Sequence, residues 1–283
     1  MKDNCLKRII KHIIPAPLRR KLRAGHYFLL LPWGRRFGSF YCPVCQIRLC
    51  GFQPLPSYYS KNLQSHGWSS AALEALEPET CNMAQYMCPH CGAPDRSRLY
   101  ALYLRERLTG SPFDFKMVDF APCEALRRWI KHTFNISYRT ADLCKEDVDD
   151  QVDLTDMAIY PTESVDAFIC SHVLEHIPND SKAMHELFRI LKPGGWGILM
   201  VPILLNQDKI FEDPAKTTTE ADRWRYFGQG DHVRSYSKQG FIDRVNAAGF
   251  TIREFGVVHF GEQIFRRCGL TRKSVLYVVE KLV

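Results

Sequence analysis

Four cysteines occur as two closely spaced pairs in the N-terminal third of the chain. Each pair has the form Cys-Pro-x-Cys, and together they supply Cys42, Cys45, Cys88 and Cys91. The short spacing makes a turn tight enough to direct both thiolates of a pair at one ion, and four thiolates complete a tetrahedral Zn²⁺ site with no open position. The spacing therefore predicts a structural zinc-ribbon-like module, with disulfide pairing as the alternative.

Other possible donors lie near these pairs. Cys50 and Cys81 fall in the long segment between the pairs, and His90 lies inside the second pair. We expect Cys50 and Cys81 to be free thiols because neither belongs to a CxxC pair, and His90 to be a poorer ligand than Cys91. The chain has 11 cysteines and no recognisable export signal, which favours a reducing, cytoplasmic location.

A second group of polar residues ends an apolar run in the second half of the chain. Residues 167–170 have the composition of a buried strand, which stops at Ser171 and His172. A helix with Glu175 and His176 at its start is predicted next, followed by a Gly-rich stop at 192–195 and a strand from residue 198. The apolar face of this helix is Ala183, Met184, Leu187, Phe188 and Leu191.

The remaining segments continue the alternation of strands and helices. The first strand and its loop are predicted at 116–122, and further strands at 136–142, 152–154, 251–258 and 275–279. Helices are predicted at 69–76, 95–108, 124–134 and 238–248, with loop at 54–60 and an insertion at 204–236. This order indicates an α/β fold, a doubly wound and mainly parallel sheet with right-handed crossovers. The helix at 95–108 carries four arginines that we expect to be solvated, Arg96, Arg98, Arg105 and Arg107.

Two short motifs connect this pattern to a known family. The motif VLEH (173–176) follows the fourth strand of the predicted domain, and LKPGG (191–195) precedes the fifth. In combination they resemble the class I S-adenosylmethionine-dependent methyltransferases of type 11. Together with the paired CPxC module, they resemble a group of bacterial methyltransferase-like proteins. The resemblance implies a Rossmann-like, seven-stranded sheet and S-adenosylmethionine as the cofactor.

The resemblance also assigns positions around the cofactor. Asp142 matches the acidic residue that accepts hydrogen bonds from both ribose hydroxyls, and Asp153 matches the position that pairs with the adenine amino group. Asp156 could exchange roles with Asp153. The complete set of implied cofactor-binding residues is Asp119, Phe120, Ala121, Pro122, Asp142, Leu143, Asp153, Leu154 and Ser171.

The first cofactor loop departs from the family pattern. It is usually glycine-rich, which lets the cofactor approach the backbone, but residues 119–124 read DFAPCE and contain no glycine. Ala121 is small enough to allow a close approach. The alternative is a degenerate cofactor site in a non-catalytic, zinc-bearing interaction or scaffold protein.

A general base is useful when the methyl acceptor is a hydroxyl group, because methyl transfer otherwise depends mainly on in-line positioning. His172 is the candidate at the strand end, and Asp231 and His232 in the insertion are a candidate acceptor-activating pair. His172 and His176 could also share a metal ion, although the sequence shows no third ligand. We expect Glu175 and His176 to orient the loop.

The insertion combines aromatic and charged side chains. These are Glu212, Asp213, Glu220, Asp222, Trp224, Tyr226, Phe227, Arg234 and Tyr236. Such a mixture predicts a lid with stacking faces and polar groups for a sugar or a similar acceptor, with a solvated loop as the alternative. The predicted activity is therefore O-methylation of a polar small molecule or glycan, and an RNA methyltransferase is the second hypothesis.

Positive charge is concentrated at the N-terminus. The chain has a formal charge of +7. Residues 1–40 hold ten Lys or Arg and one Asp, a net charge of +9, so the residues after 40 have a net charge of −2. Near-neutrality beyond residue 40 makes nucleic acid a less favoured partner. We expect a basic amphipathic arm (1–40), a zinc module with a bridging helix (41–110) and a methyltransferase domain (111–283). The arm could pack on its own domain, dock on an anionic membrane through Phe28 and Trp33, or contact RNA.

Overall fold

The computed structural model describes residues 31–69, 72, 75 and 77–283. Most of the predicted basic arm, and most of the predicted helix at 69–76, lie outside the described residues. The described part begins with helix α1 (Leu31–Phe37). No helix in this part of the chain combines the length and the apolar character needed to cross a bilayer.

A small hairpin opens the described chain. Strands β1 (Phe40–Cys42) and β2 (Ile47–Leu49) pair in antiparallel fashion, and helix α2 (Tyr58–Ser65) follows. The expected loop at 54–60 is therefore wrong at its end, because Tyr58 already begins a helix. An isolated bridge between Gln53 and Met87 brings the second cysteine pair back beside the hairpin.

Seven strands form the main sheet. They are β3 (Lys116–Phe120), β4 (Ser137–Asp142), β5 (Asp150–Gln151), β6 (Val165–Ser171), β7 (Leu191–Met200), β8 (Thr251–Phe255) and β9 (Leu276–Glu280). Their order is β5-β4-β3-β6-β7-β9-β8. The first five run parallel, and β9 is antiparallel to both of its neighbours. The predicted doubly wound, mainly parallel sheet is confirmed.

Helices connect and cover these strands. They are α3 (Asp95–Leu108), α4 (Glu124–Thr133), a 3₁₀ turn (Leu174–His176), α5 (Asp180–Ile190), α6 (Glu220–Phe227), α7 (Lys238–Ala247), α8 (Val257–Phe260) and α9 (Glu262–Arg267). The pattern predicted α3 with its exact bounds and α4 and α7 to within one residue at the end.

Two boundaries of the VLEH region differ from the prediction. Glu175 and His176 do not begin helix α5 but lie in the preceding 3₁₀ turn, because the Asn179 side chain accepts from the Lys182 N–H and caps α5 there. Leu191 does not end α5 but begins β7. Pro193 explains this, since a proline disfavours helical backbone at the residue before it.

Two further strand predictions are displaced. The short third strand is at 150–151 rather than at 152–154. The strand predicted at 251–258 ends at Phe255, because Gly256 interrupts it and α8 begins at Val257. Both errors concern edge strands, where few neighbours impose an extended backbone.

The core lies between the central strands and their helices. Gly197 in β7 shows how tightly it is packed, since a Cβ atom there would lie 2.3 Å from the Phe168 ring of β6. Helix α4 buries one face made of Ala125, Leu126, Trp129 and Ile130. Burial of this kind holds the strand ends in place and supplies the main favourable free energy of folding.

Arg98 on α3 contradicts the expectation of four solvated arginines, because its side chain is fully buried. It donates to carbonyl oxygens near the second cysteine pair, Tyr86 at 3.0 Å and Ala93 at 3.2 Å, and to the Cys268 carbonyl at 2.7 Å. Its guanidinium also lies 3.8 Å from the centre of the Phe52 ring. Helical spacing gave no sign of this, since the partners are backbone oxygens distant in sequence. Arg98 therefore joins the cysteine-bearing segment to the C-terminal part of the fold.

Candidate functional site

The four predicted cysteines lie together, and we call them the cysteine cluster (Cys42, Cys45, Cys88, Cys91). The Sγ atoms of Cys42 and Cys91 are 3.8 Å apart, as are those of Cys45 and Cys88. Thiolates about 2.3 Å from a tetrahedral Zn²⁺ are separated by about 3.8 Å, so the donors fit this ion. Cys50, Cys81 and His90 do not belong to this group of converging donors. None of the four cysteines in the cluster forms a disulfide.

Each pair is closed by a residue with left-handed backbone. Gln46 follows the first pair with φ 58°, and Gly92 follows the second with φ 73°. The N–H groups of these residues donate to the carbonyls of Cys42 (2.7 Å) and Cys88 (2.9 Å). Glycine is the usual residue at such a position, which made the second turn recognisable from the sequence. Gln46 gave no such signal.

The carboxyl ends of β3 and β6 form a second candidate site. The Ala121 N–H donates to Ala141 in β4, and the His172 N–H donates to Met200 in β7, both at 2.8 Å. The chain thus leaves the two adjacent central strands in opposite directions, which opens a crevice between them. Ligands bind at such switch points in open α/β sheets. We call this site the switch-point crevice.

Backbone strain coincides with the crevice. Ala121 has φ 54° and His172 has φ 58°, a left-handed conformation that costs an L-residue roughly 1–2 kcal/mol. Ala121 thus adopts the conformation for which glycine is best suited. The glycine-free loop therefore still makes the turn, at an energetic cost, and the two strained residues flank the same opening.

Asp119 lies inside the crevice wall. Its side chain is almost fully buried, and one carboxyl oxygen accepts from the Tyr138 hydroxyl at 2.6 Å. Burial raises the pKa of Asp119 to about 7, although the Tyr138 hydrogen bond and nearby cations act to lower it. Tyr138 comes from β4 and was not identified from the sequence, because only the pairing of β3 with β4 brings the two together.

Asp142 ends β4 at the same edge of the sheet. One of its oxygens accepts from the N–H groups of Cys144 (2.9 Å) and Lys145 (3.1 Å), and the other lies 3.3 Å from Lys145 Nζ. Partial burial tends to raise the pKa of Asp142, but these hydrogen bonds and the lysine charge lower it overall. The result is a fixed, ionised acceptor next to Leu143, whose side chain is exposed. This arrangement fits the ribose of a nucleoside cofactor.

The other implied cofactor residues differ in exposure. Asp153 is exposed and accepts from the Thr155 N–H at 2.7 Å, whereas Leu154 is buried. Phe120 and Pro122 are buried in the wall of the crevice. Ser171, at the end of β6, forms a 2.8 Å hydrogen bond with the hydroxyl of the buried Tyr100. Since Tyr100 is on α3, the helix that follows the cysteine cluster helps to position the crevice.

Three further donors converge beside His172, and we call them the Glu–His cluster (Glu175, His176, His232). Their ligand atoms all lie within 4.8 Å of one another. The rings of His176 and His232 meet edge to face with centroids 4.8 Å apart. Burial lowers the pKa of His232 to about 4 and also lowers that of His172, so both imidazoles are neutral at physiological pH.

The predicted pair of Asp231 and His232 is arranged differently from a hydrogen-bonded dyad. His232 is buried, whereas Asp231 is largely exposed and its carboxylate lies 3.4 Å from Nδ1 of His176. The Asp231 carbonyl oxygen is also 3.3 Å from this nitrogen. Asp231 therefore orients His176, and the structure brings His232 to Glu175 and His176. Sequence reasoning treated these two groups separately.

Arg234 explains why His232 reaches the VLEH turn. The buried Arg234 guanidinium donates to the carbonyl oxygens of Leu174 (2.8 Å), Ile177 (2.5 Å) and Pro178 (2.8 Å). The Val233 N–H also donates to the Glu175 carbonyl at 2.8 Å. This short part of the insertion is therefore docked on the turn and is not a solvated loop.

A cleft of about 470 Å³ lies next to the Glu–His cluster. Its lining comes from α2 and from the insertion, namely Tyr58, Tyr59, Asn62, Glu220, Arg223, Trp224, Gln229, Gly230 and Asp231. The rings of Tyr58 and Tyr59 are stacked at 4.2 Å. A second cleft of about 530 Å³ near α9 includes none of the predicted site residues. The contribution of α2 to the first cleft was not anticipated.

Comparisons with known proteins place the fold in a family. A family described as a methyltransferase domain matches residues 84–254. A search of curated protein sequences found no match. One chain of the complex between the Haloferax volcanii Trm112 methyltransferase activator and a candidate methyltransferase is similar with a TM-score of 0.43 and 16% identity, over 67% of this chain and 92% of that one.

Two other solved structures show a similar level of likeness. The S-adenosylmethionine-dependent methyltransferase from Archaeoglobus fulgidus has a TM-score of 0.41 and 11% identity, over 65% of this chain and 92% of that chain. Phosphoethanolamine N-methyltransferase 2 from Haemonchus contortus, in complex with S-adenosyl-L-methionine, has a TM-score of 0.42 and 11% identity, over 68% of this chain and 53% of that chain.

The family match begins before the second cysteine pair, includes the crevice and ends in β8. It spans more than half of the chain, and the order and directions of the strands agree with it. The chain therefore belongs to the methyltransferase domain family, whose members depend on S-adenosylmethionine.

Proposed function

We propose that this enzyme methylates a hydroxyl oxygen of a polar small molecule or glycan. The observation that carries the proposal is the position of His172, at the end of β6 on the rim of the crevice. Its Nδ1 lies 3.3 Å from the buried Glu175 carboxylate. A carboxylate at this distance stabilises the protonated imidazole electrostatically, so that the other nitrogen, Nε2, can accept a proton.

The crevice residues would hold the cofactor. Asp142 supplies a fixed carboxylate for the ribose hydroxyls, and the strained Ala121 turn leaves the backbone open to approach. Bound S-adenosylmethionine supplies an electrophilic methyl group on a sulfonium centre. In the transfer, a bond forms between the acceptor oxygen and the methyl carbon, and the carbon–sulfur bond breaks. The electron pair stays on sulfur, giving S-adenosylhomocysteine, and the hydroxyl proton goes to His172.

The acceptor would occupy the cleft between α2 and the insertion. Stacked tyrosines and Trp224 offer flat apolar faces, and Glu220, Arg223 and Asp231 offer hydrogen-bonding groups. This combination suits a sugar ring, which has an apolar face and a polar edge. RNA is less suited to the same surface, because the chain beyond residue 40 balances to −2 and phosphate contacts require cationic groups.

Calorimetric titration with S-adenosylhomocysteine tests the cofactor site. We expect the zinc-loaded parent protein to bind it, and Asp142→Asn to bind at least about tenfold more weakly because a charge-assisted acceptor is lost. Glu146→Gln, which changes another acidic residue of the same loop, is the matched control. Absence of binding to the folded parent would instead support the non-catalytic scaffold hypothesis.

Methyl transfer tests the acceptor class. The protein is incubated with cofactor carrying a ¹³C-labelled methyl group and with sugars, nucleotide sugars, oligosaccharides and RNA. We expect a methoxy carbon signal from a sugar hydroxyl, and His172→Gln should lower kcat by about 10²–10⁴-fold while S-adenosylhomocysteine affinity is kept. Label on nitrogen or carbon, or salt-sensitive methylation of RNA alone, would refute the proposal.

A further inference from the structure

The geometry points to a second metal site: we propose that the Glu–His cluster binds a divalent first-row transition metal ion between the crevice and the acceptor cleft. The three donors are two imidazoles and one carboxylate, and their ligand atoms lie within 4.8 Å of one another. The inference is independent of the cysteine cluster, which has a different donor set and lies on other elements.

The buried carboxylate of Glu175 is the main reason for this proposal. Its side chain is fully buried, and neither of its oxygens has a hydrogen-bond partner in the part of the chain that the structure describes. His172 Nδ1 lies 3.3 Å from Oε1 but is not aligned for a hydrogen bond. An unpaired buried charge costs several kcal/mol in general. A bound cation would compensate this carboxylate directly.

The donor set indicates the kind of ion. Imidazole nitrogen suits Zn²⁺, Fe²⁺, Co²⁺ and Ni²⁺, whereas Mg²⁺ and Ca²⁺ prefer sites made of oxygen alone. Two histidines and one carboxylate leave coordination positions open, as in catalytic metal sites. The four-thiolate cluster, in contrast, leaves none. The two clusters would therefore differ in their access to exogenous ligands.

The surroundings already orient His176, and a further histidine lies beside Glu175. His176 Nδ1 faces the carboxylate and carbonyl oxygens of Asp231, which leaves the lone pair of Nε2 for a metal ion. His172 faces one oxygen of Glu175. Outer partners of this type fix the tautomer and direction of metal ligands. Arg234 and the Val233 N–H hold the turn and the insertion together, so the donors from both segments stay close.

Only small movements would complete the site. Donor atoms about 2.0–2.2 Å from one ion lie about 3–3.5 Å apart, so the donors would need to approach by roughly an ångström. The His176 side chain is 34% exposed, so an ion has an entry path from solvent.

A metal ion at this site would also help to activate and select the methyl acceptor. This part of the inference rests on the proposed function. A divalent ion with open positions polarises a bound hydroxyl and lowers its pKa, which makes it a better methyl acceptor. The favoured acceptor then carries a second oxygen next to the methylated hydroxyl, because two adjacent oxygens can chelate the ion. Vicinal diols of sugars meet this requirement.

Cobalt(II) titration of the zinc-loaded, full-length protein tests the site without an acceptor. Visible d–d absorption reports Co²⁺ bound by nitrogen and oxygen, and the sulfur-to-cobalt charge-transfer band reports any exchange at the cysteine cluster. We expect one equivalent to bind with d–d bands and without the charge-transfer band. Glu175→Gln and His232→Gln should weaken binding at least about tenfold, whereas His185→Gln, an exposed histidine on α5, should not.

Zinc content, melting temperature and S-adenosylhomocysteine binding are measured on the same variants. Unchanged zinc content and S-adenosylhomocysteine binding, and a melting temperature no lower than that of the parent, together with weaker Co²⁺ binding assign the loss to the site and not to unfolding. The inference is overturned if the parent takes up Co²⁺ only at the cysteines, or if Glu175→Gln and His232→Gln bind it like the parent. That result would leave S-adenosylhomocysteine binding, and thus the methyltransferase assignment, untouched.

Discussion

The cysteine cluster and the Glu–His cluster are two convergent sets of donors that arise in different ways. All donors of the first lie in two CPxC turns, and each turn sets the spacing of its own pair. The second takes Glu175 and His176 from a turn after β6 and His232 from a distant insertion. Local geometry builds the first, whereas docking of one segment on another builds the second.

The difference extends to burial and charge. Four thiolates can satisfy one ion completely, which makes the first cluster a closed structural unit. The second contains a fully buried carboxylate that meets no hydrogen-bond donor among the described residues, and it borders a cleft. Structural sites tolerate no open position and reactive sites require one. The number of donors that the fold brings together therefore differs between the two clusters, four in the first and three in the second.

Loss of a cysteine should have the largest effect. Cys88→Ser removes a ligand from the closed site, and structural Zn²⁺ contributes on the order of 10 kcal/mol in small modules. We expect zinc content to fall well below one per chain and the cysteine-bearing segment to become sensitive to protease. Cys81→Ser is the matched control and should keep its zinc. Full zinc in Cys88→Ser would remove the distinction between the two clusters.

Removal of Arg234 should affect the second cluster only. Arg234→Met leaves the carbonyls of the VLEH turn without their donor and removes a partner of Glu212, so the free energy of unfolding should fall by about 3–5 kcal/mol. Chemical denaturation measures this loss, and zinc analysis should show an unchanged content. Arg225→Met, at an exposed position of α6, should cost less than about 0.5 kcal/mol. Loss of zinc in Arg234→Met would show that the clusters are coupled.

The buried Asp119 predicts a pH dependence in the crevice. Its pKa is about 7 in the folded protein against an ordinary 3.8, so the native state binds the proton more tightly than the unfolded state. The Asp119 carboxyl therefore makes its full contribution to the free energy of unfolding below about pH 4, and this contribution is lost as the pH rises to about 7. The parent should therefore lose stability relative to Asp119→Asn as the pH rises from about 5.5 to about 8. The difference in unfolding free energy, Asp119→Asn minus parent, should increase by on the order of 2 kcal/mol.

Denaturation of both proteins at several pH values measures this difference. Asp166→Asn, whose carboxylate pairs with Lys192 near the other end of β6, is a control for a general charge effect. A constant difference between Asp119→Asn and the parent would mean that Asp119 is ionised in the folded protein throughout this range.

The smallest effect is expected at the strained turn. Ala121→Gly relieves the left-handed backbone but adds freedom to the unfolded chain, so the net stabilisation should be about 0.5–1 kcal/mol. Ala125→Gly, in the first turns of α4, should instead destabilise by about 1 kcal/mol. Thermal denaturation shows whether each substitution raises or lowers the stability of the protein. A destabilised Ala121→Gly would show that the side chain, and not the backbone, matters at this turn.

Much of the fold was predictable because it depends on short-range patterns. Apolar runs placed β3, β4, β6 and β9, and helical spacing placed α3, α4 and α7. The position of β5, the end of β8 and the 3₁₀ turn at Glu175 were missed because single capping residues and weak edge pairing decide them. Arg98 was misjudged for a related reason, since its partners are backbone carbonyls from other parts of the chain.

The sequence by itself determined the two cysteine turns, the family motifs and the order of strands and helices, because each depends on residues that are neighbours in the chain. Only the tertiary structure decided that Glu175 is buried, that His232 lies beside it and that Tyr58 lines the cleft between α2 and the insertion. These outcomes depend on Arg234 and on the path of the insertion. Contacts between distant segments carry no periodic signal, so the combination of donors at the second cluster became visible only in three dimensions.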